Sequence, residues 1–417
     1  MTLDPVHIKA ISDLASRIEF SIQDEDTESS SEFLELLREL WYDGNLVLRS
    51  LGRVYRSKVD VERMSRAQDP IPRTFSCDGG STNPFTFDNG LSVDFCHSAL
   101  ASTPTDLEIH SKRTIVAATY SPSSSVIIDT TDGWDDFDDG SGRSKIVRIQ
   151  PGLLQTRISR LVHNIALYLA ESEHILWMMD RFTEDSLLIM DGPIYPKQLM
   201  YWMVVESDEV QIRYDPYARQ ILQNYIDIMD HHLENRIPLI GFVKNPEDMQ
   251  IIRTLRKRDD MGDIPWLMDA QFFKSILKPR HSEKNRYITY TNWFMQPNQF
   301  YESMMATTSP LMEERLTHRF PKEDYSLTFF MVHVPSMNVM FKIESPYGLT
   351  RDEDMRETIT RKVLYDIAIN GIPETLSKAD TLAKVRLVER RQIIDQFKEL
   401  TMDTKYNDIR WSEFEDE

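Results

Sequence analysis

The sequence predicts an α/β fold, a mixed sheet core flanked by helices, on three observations. Two short apolar runs, SLLIMDGP (186–193) and IPLIGFVKNP (237–246), end in polar, Gly or Pro residues, and a helical pattern at 215–235 lies between them. Strand, helix, strand in that order is the pattern of parallel strands joined by a helical crossover. Upstream, the segment from RTFSCDGG to TIVAATY is rich in β-branched and small residues, the texture of paired strands. Between the two blocks runs the longest helical stripe, over 153–182, with Leu154, Ile158, Leu161, Val162, Ile165, Leu169, Leu176 and Met179 on one face.

The remaining elements follow in chain order. Ile8, Ile11, Leu14 and Ile18 have helical spacing; after the polar run QDEDTESSSE, the segment FLELLRELWYDGNLVLRSL reads as a second helix. Residues 1–65 therefore form an N-terminal helical extension, and 70–417 the main domain. After TIVAATY a further strand, SVIID, is expected, then an Asp-rich loop, TTDGWDDFDDGSGRS, which lacks the ligand order of a calcium loop. Helices are expected near 197–206 and 265–280, an aromatic strand at 285–296, and a hairpin from DYSLTFFMVHVP and NVMFKIESP. Two helices close the chain, at 352–369 and 378–401, the second dense in Lys and Arg.

At 417 residues, with 41% hydrophobic residues, the chain has an ordinary globular composition and room for about two to three structural units. No stretch reaches the length of apolar sequence that a membrane helix needs, and the N-terminus has no basic start followed by an apolar core, so a cytoplasmic location is expected. Two cysteines, Cys77 and Cys96, without CxxC spacing, give neither a disulfide framework nor a thiolate metal site. A formal charge of −19 excludes a protein that coats nucleic acid through diffuse basic surface, so any phosphate contact needs a local basic channel.

Asp78 ends an apolar approach and precedes Gly79, Gly80 and Ser81; Asp191 ends LLIM and precedes Gly192 and Pro193. Each is either a turn aspartate accepting backbone N–H bonds or a carboxylate presented at the end of a buried strand, where α/β folds place ligands. Their order favours the second reading. An Asp on a first strand, further strands, a long helix bearing carboxylates, then an Asp at the tip of the next strand is the arrangement of a ribonuclease-H-like core, in which acidic side chains converge on Mg²⁺ or Mn²⁺. The helix offers Glu171 and Glu173. Two residues apart they lie about 200° apart around the helix, so at most one joins the site easily, and Glu173 is preferred. His231 and His232, adjacent on a helix, face apart and read as structural. Trp293, Phe294, Tyr287 and Tyr290 read as core aromatics before they read as base-stacking platforms.

With these motifs in hand the chain resembles the NurA family of DNA-end-processing nucleases: FSCDGGSTNP, the Glu-bearing helix before LLIMDGPIYP, IPLIGFVKNP with its lysine, and MFKIESP, together spanning about residues 70–395. The resemblance implies a manganese-preferring 5′-to-3′ exonuclease and single-strand endonuclease. It further implies a homodimer that docks on a hexameric HerA-type translocase for end resection in double-strand-break repair. Carried over by motif, Asp78, Glu171 or Glu173, and Asp191 become metal ligands, and Lys244 contacts the phosphate or the attacking water. Arg253 and Arg256 would help line the DNA channel. Where the family often has a histidine near the C-terminus this chain reads IPETLSKADTLAK and offers Asp380, which can ligate a metal but cannot donate a proton as imidazolium does. That departure leaves a non-catalytic translocase partner as one alternative, and a metal-dependent phosphatase as another.

Overall fold

The computed structural model describes residues 3–18, 35–123, 126–130, 133–149, 158–196, 203–206, 211–214, 216–258, 264–296 and 316–397. Its centre is a mixed sheet. We label the strands that build the core β1 (Arg73–Ser81), β2 (Ser92–Thr103), β3 (Arg113–Tyr120), β4 (Gly142–Arg148), β5 (Ser186–Asp191), β6 (Leu239–Val243), β7 (Leu327–Val334) and β8 (Val339–Pro346). The long helices are α1 (Ile158–Trp177), α2 (Pro216–Glu234), α3 (Glu353–Asn370) and α4 (Glu374–Ala383).

In space the strands run β7, β8, β6, β5, β1, β2, β3, β4. β1, β5 and β6 are mutually parallel, β2 is antiparallel to β1, and β3 is antiparallel to β2. The order β3-β2-β1-β5-β6, with α1 reached from β3 through the added strand β4 and α2 between β5 and β6, is the ribonuclease-H-like topology. Both faces of the parallel strands are covered, which is why SLLIM is apolar at successive positions rather than alternating. Leu188 and Met190 join the core under α1 and α2, while Leu187 and Ile189 join the one under α3. The stripe on α1 packs as its spacing predicts, with Leu161, Val162, Ile165 and Leu169 buried; Leu154 lies outside the described residues.

Several local expectations are corrected. The segment expected as a second N-terminal helix forms a hairpin, Glu39–Tyr42 with Asn45–Ser50, in register Leu40↔Leu48 and Tyr42↔Asn45. Asp43 and Gly44 make the turn with φ of 48° and 75°, and an Asp-Gly pair between apolar runs is a strong two-residue hairpin signal that outweighs a helical count. Together with Arg56–Asp60 this hairpin extends the large sheet, so residues before 65 contribute strands as well as the helices Pro5–Ala15 and Val61–Ser65. SVIID is not a strand over its described residues 126–129; the strand beside β3 is β4, and Asp135–Asp136 of the Asp-rich stretch pairs back on it. Residues 203–206 are a strand paired with 211–214, not the end of a helix; 197–202 lie outside the described residues. The C-terminal helical stretch is broken after Ala383 and resumes at Leu387–Ile394. Among the described residues no helix is long and apolar enough to cross a membrane.

Candidate active site

β1 and β5 run side by side in the same direction with Met190 opposite Cys77, so the next residues, Asp191 and Asp78, lie next to each other; β5 ends there, while β1 continues on β2 to Ser81. This adjacency follows from parallel pairing, which aligns the carboxyl ends of strands remote in sequence. Asp78 is partly buried, and its Oδ1 accepts the N–H of Gly79 at 2.8 Å. Burial, and then the neighbouring Asp191 carboxylate, push its pKa up to about 6; Asp380 adds to the rise, while the Gly79 N–H and Lys244 oppose it. Asp191 is held by Lys244 from the end of β6, whose Nζ lies 2.7 Å from Asp191 Oδ2.

Glu171 reaches the same place from α1. It is partly exposed, yet desolvation by the surrounding protein, followed by the charges of Asp78 and Asp191, carries its pKa well above the ordinary carboxylate range. Gly79 makes room for it: a side chain there would meet Leu167 Cδ1 at 2.5 Å and Glu171 Oε1 at 2.8 Å. Asp380 stands exposed on α4, close enough for its charge to act on Asp78. α4 is pressed to the sheet at Gly80, where a Cβ would sit 1.6 Å from the Ala383 carbonyl oxygen. Threonines join its first turn to the strands: Thr375 Oγ1 bonds Thr74, and also Thr103 at 2.9 Å.

The structure thus gathers Asp78, Glu171, Asp191, Lys244 and Asp380, and leaves Glu173 out. Glu173 points the other way around α1, where Gln220 and Asn224 of α2 donate to its Oε1 at 2.8 and 3.0 Å and Arg143 of β4 approaches Oε2 at 3.4 Å. The acids' edge of the sheet meets only one side of the helix, and that side carries Glu171 rather than Glu173. Arg253 and Arg256 are exposed on the helix Gln250–Arg256, whose buried face packs with Leu48 and Phe272 in the core beside the N-terminal hairpin; Arg256 donates to the Trp266 carbonyl. His232 is buried and bonded to the Ile237 carbonyl, and Trp293 and Phe294 are buried in the cores, as structural residues would be.

Two features escaped the sequence reading. His97 on β2 donates to the Ala383 carbonyl and so anchors the end of α4, and burial lowers its pKa. Asp94, Cys96 and His163 are, among the described residues, the group of three potential metal ligands with atoms within 4.8 Å of one another. Asp94 is fully buried there, and its carboxylate accepts from Ser81 Oγ at 2.8 Å, Thr82 Oγ1 at 3.0 Å and His163 Nδ1 at 2.8 Å. Its oxygens are satisfied by the last residue of β1, by the residue after it and by α1, which is a structural role. No local pattern announces either residue, since both act through partners distant in sequence.

The NurA domain family profile matches residues 72–385. Among solved structures, the chain is similar to the NurA nuclease from Sulfolobus solfataricus (11% identity, 95% of this chain and 97% of that one, TM-score 0.48). It is also similar to a NurA with manganese (10% identity, 81% and 92%, TM-score 0.44) and to a NurA bound to dAMP and manganese (10% identity, 77% and 86%, TM-score 0.42). None of the curated proteins matches the sequence. A family match running from the strand that carries Asp78 to the residues just past α4 takes in every member of the acidic site, and the chain belongs to the NurA domain family.

Proposed function

We propose that the chain is a divalent-metal-dependent deoxyribonuclease. The observation that carries this is the convergence of Asp78, Glu171 and Asp191 at one sheet edge, with two of the three carboxyls raised in pKa by burial and then by acidic neighbours, Asp191 for Asp78, and Asp78 and Asp191 for Glu171. Carboxylates crowded at such expense call for a cation, and an all-oxygen donor set suits Mn²⁺ or Mg²⁺. Asp78, Glu171 and Asp191, with Asp380 at the margin, would hold the metal. A bound divalent ion supplies charge neutralisation at a scissile phosphate and a more acidic water. Lys244 holds Asp191 in place and presents a partly exposed ammonium beside the acids, suited to a phosphate oxygen.

The finer reading is a 5′-to-3′ exonuclease and single-strand endonuclease, working as a homodimer with a HerA-type translocase in end resection during double-strand-break repair. Its support is membership of the family and the resemblance of motifs. The basic residues beyond Asp380, among them Lys384, Arg386 and Arg391, are exposed and would supply the local positive surface that a chain of −19 needs.

The test is degradation of 5′-labelled single- and double-stranded DNA by wild type and Asp191→Ala with Mn²⁺, Mg²⁺ or EDTA. Metal-dependent cleavage that disappears in the variant, with circular dichroism unchanged, is expected. Cleavage in EDTA, or a fully active variant, would overturn the metal-site reading. No cleavage in any metal, even with a translocase added, would leave a non-catalytic partner in its place.

A further inference from the structure

We propose that Glu344, together with the buried Lys342 and Asp248, is a positioning unit for the Asp191–Lys244 pair; the proposal rests on that pair belonging to the active site. Lys342 and Glu344 lie on β8, buried to 3% and 0% exposure. Lys342 Nζ sits 2.6 Å from Asp248 Oδ2 and 2.9 Å from Glu344 Oε1, and 4.7 Å from the centre of the Phe329 ring. Burying a cation with two carboxylates is costly in lost hydration, and apolar residues of like volume often do as well for stability, so stability alone is a poor account of the network.

Its connections supply a better one. The other oxygen of Glu344 accepts the Ile194 N–H at 3.2 Å, three residues beyond Asp191. That bond crosses over Gly241, the residue opposite Glu344 in the β6–β8 register. A Cβ on Gly241 would sit 2.6 Å from both the Gly192 oxygen and the Ile194 nitrogen, so the turn after Asp191 lies directly on the β6 backbone. Gly192 in turn donates to the Phe242 carbonyl at 3.1 Å. On the other side, Asp248 is four residues beyond Lys244, and its carbonyl accepts from Asp269 at 2.8 Å. One buried ammonium therefore ties together the segment that follows Asp191 and the segment that follows Lys244. Each of the paired residues leaves its strand into a loop, and each loop is pinned within a few residues by the same charge. Such outer partners fix the orientation of the groups that touch a metal or a phosphate.

The prediction concerns Lys244 itself and needs neither metal nor DNA. Amine-selective labelling of the full metal-free chain, quantified at Lys244 by mass spectrometry, is compared in wild type, Glu344→Gln and the milder Asp248→Asn, whose side chain is partly open to solvent. Asp191→Ala gives the rate for an unpaired Lys244. Labelling several-fold faster than wild type in either positioning variant, approaching the Asp191→Ala rate while circular dichroism stays native, is the expected result. Lys244 labelled at the wild-type rate in a folded variant would overturn the proposal, including where the thermal midpoint has fallen, since that assigns the network to stability alone. Should Glu344→Gln not fold, Asp248→Asn decides by the same criterion. Because the readout is the pair and not cleavage, a failure here is distinct from a failure of the nuclease reading.

Discussion

Glu171 and Glu173 show how two like residues on one helix acquire opposite tasks. Glu171 is crowded by burial and by two other acids, Asp78 and Asp191; Glu173 is 8% exposed and satisfied by Arg143, Gln220 and Asn224. Replacing each by glutamine keeps the volume and removes the charge. Glu171→Gln is expected to lower metal-dependent cleavage by about a hundredfold or more, the upper end of what even outer partners of a metal site cost, with an unchanged or higher thermal midpoint because repulsion is relieved. Glu173→Gln is expected to leave cleavage nearly intact but lose about 1–3 kcal/mol, because Arg143 is left buried without its counter-charge. Parallel cleavage assays and thermal melts check both; an active Glu171→Gln enzyme would remove that residue from the site.

At the scale of elements, the contact that matters most is α4 on β1. Four residues tie that helix down: Thr74, Thr103, His97 and Gly80. Gly80 is required there for space rather than for its backbone angles, since a methyl group would fall inside the Ala383 carbonyl. Gly80→Ala therefore forces the end of α4 outward and moves Asp380, three residues earlier, with it. A loss of about 1–3 kcal/mol, as for overpacking in a tight core, is expected in chemical denaturation, and weaker Mn²⁺ binding by calorimetry. Wild-type stability with wild-type metal affinity would show that the helix end tolerates the shift. The same scale holds the hairpin at 39–50, where the Asp43-Gly44 turn prevailed over a helix-like run of leucines because leucines on both strands, Leu40 and Leu48, meet in the core.

For the molecule as a whole, the site is a store of unfavourable charge that a bound divalent ion, on the proposed reading, would release. Asp78 titrates near 6 in the folded chain against an ordinary value of 3.8, so between those values the folded state holds a proton that the unfolded state has lost. Stability from this group is then full below about pH 4 and falls as pH rises through about 6, by about 3 kcal/mol for a shift of roughly two units. Metal-free Asp78→Asn is expected to match wild type near pH 4 and to exceed its thermal midpoint at pH 7. Added Mn²⁺ is expected to reverse that order at pH 7, because the ion binds the ionised carboxylates of the native state only. A metal-free variant less stable than wild type at pH 7 would contradict the charge crowding inferred at Asp78.

The sequence by itself determined the fold class, the strands that carry Asp78 and Asp191, the helix that brings a glutamate, and the lysine after β6. These are legible because a buried parallel strand must be apolar throughout and must stop at a polar, Gly- or Pro-marked end, which is a local property of the chain. Only the tertiary structure put Glu171 rather than Glu173 among the acids, turned the leucine-rich segment before residue 50 into a hairpin, brought Asp380 within reach of Asp78, and set Glu344 against the loop after Asp191. Those outcomes depend on which side of a helix meets the sheet edge and on contacts such as Ile194 with Glu344, 150 residues apart in sequence, and such pairings leave no trace in local spacing.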